Sequence, residues 1–248
     1  MIADYLMNMV RRQMPSDCGV IEDSTPVVSF GNPHTTRVAT LGINPSRKEF
    51  LDDKGNLLRG QDRRFETLPS VGADRCETLT DPQVASIIEG CNSYFKRRPY
   101  MTWFKPLEQI IEAGAAVSYI AGTACHLDLV QWATDPVWGK MPPGNAKKAL
   151  MDEGIEHLRA QLTTESIETV IVVSAEVWKQ LEAYRLCEFK DVDVIRVGKT
   201  GRIPCTLRIG EGCGSRFVGW TSNVQSQPGI TREDRESLGR WLKSVFVR

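Results

Sequence analysis

The chain has 248 residues, 41% of them hydrophobic, with 31 basic and 31 acidic side chains. That length suits one large α/β domain or two small ones, and a formal charge of zero argues against a coat for nucleic acid while leaving room for one local basic face. No stretch approaches the roughly 18 apolar residues of a membrane span.

Taken in chain order, residues 4–14 predict an amphipathic helix with Tyr5, Leu6, Met9 and Val10 on one side. Val27–Phe30 reads as a short strand stopped by Gly31-Asn32-Pro33. Val38 to Ile43 is a buried strand, cut off by Asn44-Pro45-Ser46. Residues 51–80 read as a long polar loop, a length uncommon in compact domains unless it works. Asp81-Pro82 predicts a helix start, and a second helix is expected over 101–113, ending at Gly114. Residues 116–122 read as the second buried strand, 144–162 as a helix, 168–174 as the third strand and 175–184 as its helix. Residues 191–197 predict a short edge strand. Arg196, Lys199, Arg202 and Arg208 follow as a basic span with hairpin glycines at 201 and 210. Residues 216–220 form the last core strand, and Thr231 caps the final helix, which runs to about 247. Alternating strands and helices predict an α/β fold, a three-layer α/β/α sandwich on a mainly parallel four-stranded sheet. One domain is expected over 1–248, with 1–25 as a helical extension.

The seven cysteines are scattered, odd in number and lack a CxxC pair, so reduced thiols are expected. No metal-ligand cluster or iron–sulfur spacing stands out, and no cofactor or metal is expected. The N-terminal segment lacks a basic start followed by an apolar core, so a cytoplasmic location is expected.

The most informative stretch is Arg37–Phe50. A continuous apolar run suits a strand covered on both faces, and ligands sit at the carboxyl ends of such strands. Pro45 restricts Asn44 to extended geometry there, and Gly42 lets a ligand or backbone come close. Taken alone, Asn-Pro is also a common turn in which Asn satisfies its own backbone.

Gly42-Ile43-Asn44-Pro45-Ser46 resembles the first motif of the uracil-DNA glycosylase superfamily, its mismatch-specific branch most closely. Residues 26–31 look like that family's entry hairpin. Residues 220–229, with Asn223 and Pro228, stand where the family carries its second motif. The order of elements matches over about residues 26–247. The resemblance implies a monofunctional DNA glycosylase, acting on DNA as a monomer and away from membranes. In it the Asn44 carbonyl would aim water at the sugar C1′, with Asn223 as the second catalytic residue. The motif has no lysine to form an imine.

By the same resemblance, Gly42, Ile43, Pro45 and Ser46 line the substrate, and Phe65 stacks on a base flipped out of the duplex. Thr123, His126 and Asp128, in the loop after the second strand, would read its edge. The bland alternative makes Asp128 a helix cap and His126 a solvent-exposed side chain. Arg63 and Arg64 would grip phosphates, or form a solvated charged loop. Ser222, Gln225, Ser226 and Gln227 would enter the DNA. Trp132 and Trp138 are stacking candidates or core anchors, with Trp138 read as an anchor. Lys96-Arg97-Arg98 with Tyr94, Phe95 and Tyr100 forms a basic-aromatic patch or a helix end. His157 is expected to be exposed. The narrower expectation is a hypermodified phage cytosine, such as glucosylated hydroxymethylcytosine, removed in antiviral defence. The competing expectation is a non-catalytic glycosylase-fold module that binds nucleic acid or a nucleotide.

Overall fold

A computed structural model describes residues 2–246. Six strands, β1 (Val38–Gly42), β2 (Ala124–Asp128), β3 (Thr169–Val172), β4 (Glu188–Val197), β5 (Ile203–Gly212) and β6 (Ser215–Trp220), form one sheet in the order β2-β1-β3-β6-β5-β4. β1, β3 and β6 run parallel, with Thr40 beside Ile171 and Ile171 beside Val218. Their residues are buried almost throughout, as runs without apolar alternation require. Gly219 permits the close pairing, because a Cβ there would fall 2.0 Å from the Val172 carbonyl oxygen.

The sheet is therefore six-stranded and mixed, not four-stranded and mainly parallel. The addition is the antiparallel hairpin β4–β5, with β5 paired to β6. β4 is exposed along most of its ten residues, so no apolar run announces its length. The basic span does form a hairpin, whose tip is the 198–202 turn.

The helices are α1 (Asp4–Val10), α2 (Leu68–Val71), α3 (Asp81–Asn92), α4 (Met101–Ala115), α5 (Asn145–Thr164), α6 (Ala175–Ala183) and α7 (Arg232–Phe246). α1 stops at Val10, four residues early. α3 is capped by Thr80, one residue before the expected site, in a box where Gln83 reaches back to the Thr80 backbone. Gly114 lies inside α4 rather than ending it. A Cβ there would meet the Leu242 side chain at 2.7 Å and the Gly239 carbonyl at 2.8 Å, so this glycine sets the approach of α7.

Two expected strands are absent from their predicted places. Residues 116–122 form a left-handed cap and a tight turn instead. Ala116 has φ 54° and Gly122 φ 71°. The buried Glu108 carboxylate accepts from the Ser118 hydroxyl (2.5 Å) and the Tyr119 backbone (2.9 Å). The strand starts later, at Ala124, so His126 and Asp128, expected in a loop, lie in the strand itself. Val27–Phe30 is extended, but its backbone bonds go to Gln131 and the Gln161 side chain rather than into a strand ladder.

Contacts divide the chain into two compact units of interleaved segments. One comprises the described residues up to 32 with 43–99 and 127–164; the other comprises 33–42, 100–126 and the rest from 165. No helix among the described residues is long and apolar enough to cross a membrane. All seven cysteines are free thiols, six of them buried.

Candidate active site

The first unit carries Asn44. Its side-chain Nδ2 donates to the Trp132 carbonyl and the Thr134 hydroxyl, both at 3.2 Å. A carbonyl only accepts, so the end facing Trp132 must be the NH₂. That leaves Oδ1 of a part-buried amide as the end turned to accept. The local-turn alternative does not describe this side chain, since its partners lie 88 and 90 residues away.

Its surroundings are fixed on both sides. The Ile43 carbonyl accepts from the Val130 N–H (2.8 Å). Pro45 is buried, and the Ser46 hydroxyl caps a 3-10 helix over Arg47–Glu49. Trp132 is buried and donates its indole N–H to Glu153 (3.0 Å). Gly154 of α5 backs onto the same loop, where a Cβ would fall 2.1 Å from the Leu129 carbonyl and 2.8 Å from Val130 Cα. Alanine improves helix propensity by about 1 kcal/mol, yet it would collide here with backbone. Gly154→Ala is therefore expected to lower stability by about 1–3 kcal/mol and to disturb the Asn44 anchor. Urea unfolding checks the first effect; an unchanged midpoint would show that the loop yields freely.

Glu49 was not singled out from the sequence, where it hides in the charged run Arg47-Lys48-Glu49, and Tyr94 was read only as part of the basic-aromatic patch. The structure buries both. The Tyr94 hydroxyl donates to the Glu49 carboxyl, 2.9 and 2.8 Å from its two oxygens. Burial pushes this carboxyl up to about 8, against the opposing pulls of Tyr94 and the Arg64 charge, with buried Asp128 adding to the push. Glu49 is thus a neutral acid at pH 7. The only sequence signal was its place one residue before Phe50.

Phe65 lies in the same cluster and has 1% of its surface exposed. Tyr94 stacks on it at 4.7 Å and Phe50 at 5.8 Å, with Phe30 edge-on. Phe65 thus serves as core, with no open face for a base. Of the two arginines before it, Arg63 pairs with Glu66 at 3.0 Å, and the Arg64 charge pulls the Glu49 carboxyl down. Arg97 also pairs with Glu66, and Tyr94 and Phe95 are buried, so the basic-aromatic patch presents no exposed ring from these two residues. Trp138 is half-buried rather than a core anchor, with Lys147 5.3 Å above its ring. His157 is buried against Tyr5, not exposed; burial lowers its imidazole to about 3.

In the second unit His126 is a buried strand residue, neither loop nor solvent-exposed. The Thr40 hydroxyl lies 2.6 Å from its Nδ1 and 2.5 Å from the Tyr119 hydroxyl, and Phe104 meets the ring edge-on. Asp128 ends β2 instead of capping a helix. Thr123 precedes β2 and clamps the Ser118 turn with its hydroxyl (2.8 Å).

The loop after β6 is braced. Asn223 Oδ1 accepts from the Gln225 and Ser226 backbones at 3.0 and 3.1 Å, an Asx turn that occupies its carbonyl. Ser222 and Val224 are buried, and Gln225 Nε2 donates to the Trp103 carbonyl (3.2 Å). Ser226 and Pro228 are the exposed points of the loop, with Gln227 half-buried.

No family model matches the chain, and no curated protein matches it in sequence.

Proposed function

We propose that the protein is a monofunctional DNA glycosylase. It would hydrolyse the N-glycosidic bond of a flipped-out modified, damaged or mismatched base and leave an abasic site. The observation that carries this reading is the anchored Asn44, whose NH₂ is held by Trp132 and Thr134 while Oδ1 is left to accept. An amide is too weak a base to ionise water, but its carbonyl can hold a water on the line to C1′. The oxocarbenium-like sugar and anionic base then need only fixed dipoles around them. The inner strands β2-β1-β3-β6 support a three-layer glycosylase-like sandwich, with the β4–β5 hairpin as an addition. The substrate in the narrower form is a glucosylated hydroxymethylcytosine of phage DNA.

The second reading, a nucleic-acid-binding module without catalysis, is favoured by two observations. Phe65 has no free face, and the Asn223 carbonyl is spent on its own turn. Base release separates the two readings. Synthetic duplexes and single strands carrying uracil, thymine mismatches, hydroxymethylcytosine or its glucosylated form are incubated with the protein. Alkali cleavage then reports abasic sites. Cleavage at one base supports the glycosylase; binding without cleavage supports the module. Efficient uracil release would sink the phage-cytosine form.

A further inference from the structure

The β4–β5 hairpin ends in a cationic tip. Arg196, Lys199 and Arg202 are exposed, and no acidic residue occurs between Val194 and Thr206. Among the described residues none of the three pairs with an acid; Arg196 donates to the Arg202 carbonyl (3.2 Å). The turn has Gly198 at φ 88° and Gly201 at φ 60°, values glycine adopts without strain, and is bridged by Gly201 N–H to the Gly198 carbonyl (2.8 Å).

This tip is fastened to the loop after β6. The Lys199 N–H donates to the Gly229 carbonyl (2.9 Å). The buried Asp234 carboxylate accepts from the Gly198 N–H (3.0 Å), the Thr231 N–H (2.7 Å) and the Thr231 hydroxyl (2.8 Å). Burial pushes that carboxyl up, but these bonds outweigh it and hold it below the usual range. Residues 221–231 carry no charge at all. An uncharged polar loop thus stands beside a turn that carries three exposed cations.

We infer that the hairpin tip is a clamp for DNA backbone phosphates, with Asp234 as the positioning residue that holds it beside the 222–228 loop. The inference rests on the glycosylase or DNA-binding reading and adds the surface that grips the strand. Cations without acidic partners, on a turn bonded to its neighbours at Gly198 and Lys199, suit phosphate, which positions a protein without reading sequence. The polar loop, with Ser226 and Pro228 exposed, then meets the nucleic acid at a set distance from the grip.

The test measures duplex DNA affinity against salt for the full chain. Each phosphate contact contributes about 0.9 to the slope of log K against log salt. The triple variant Arg196→Gln/Lys199→Gln/Arg202→Gln alters only exposed side chains, and its slope is expected to fall by about 2 to 3. Asp234→Ala removes a negative charge, which by simple attraction would tighten binding. A positioning role predicts the reverse: affinity falls while the thermal midpoint, recorded in parallel, shows the chain still folded. A triple variant with the wild-type slope overturns the clamp and leaves the DNA reading standing. A wild-type protein that does not bind DNA overturns both, and that outcome is read before any variant is compared. Should Asp234→Ala fail to fold, the triple variant alone decides.

Discussion

Asn44→Ala is expected to slow base release about 100- to 1,000-fold, the scale of losing one aligned catalytic group, while DNA affinity changes less than threefold. The loss follows from Oδ1 being the accepting end of an amide whose NH₂ is held by two distant anchors. Thr134→Val keeps the shape of its side chain but removes one anchor. It is expected to cost about tenfold in rate, the smaller price of a misaimed group. Single-turnover release at saturating enzyme separates rate from binding. A full-rate Asn44→Ala protein would leave the motif as a structural turn. Asn44→Asp offers a sharper check, because a carboxylate oxygen would face the Trp132 carbonyl in place of a donor. It should therefore behave like the alanine variant rather than like a better base.

Glu49→Gln is expected to change the pH dependence of stability. The folded carboxyl titrates near 8, against 4.5 for an unperturbed one. Below about pH 4.5 both folded and unfolded states hold the proton. Between about 4.5 and 8 the unfolded chain has released it and the folded chain has not, so stability falls as pH rises and levels off above 8. The full swing is on the order of 5 kcal/mol. Glutamine keeps the shape and an acceptor for Tyr94 without a titrating proton. Relative to wild type, the variant should be within about 1 kcal/mol at pH 5 and more stable by roughly 4 kcal/mol at pH 9. Urea midpoints at the two pH values check this. A difference that does not grow with pH would contradict the buried neutral acid. Base release at pH 7 should survive the change, since Glu49 is already uncharged there.

What the sequence reveals and what it hides divides along physical lines. β1, β3 and β6 were legible because both their faces are buried, so their apolar runs carry the signal unaided. α7 was legible because its Thr231–Asp234 box is local. The 116–122 run failed as a strand because Glu108, ten residues upstream of Ser118, captures its backbone and side chains. The length of β4 was hidden because an exposed strand need not be apolar. At the site, Asn44 was legible from Pro45 and the strand end, but its anchors at Trp132 and Thr134 depend on tertiary contact alone. Phe65 illustrates the converse. The resemblance gave it a base-stacking role in a polar stretch, yet Phe30, Phe50 and Tyr94 enclose it.

The most direct test of the central claim is mass spectrometry of free base released in one turnover. The substrate is a duplex with a single glucosylated hydroxymethylcytosine, with a uracil duplex alongside, and the proteins are wild type and Asn44→Ala. The expected result is release of an intact modified base by the wild type, an alkali-labile site left behind, and near silence from the variant. Equal release by both proteins would contradict the role of Asn44, and DNA bound without release of any base would contradict catalysis itself.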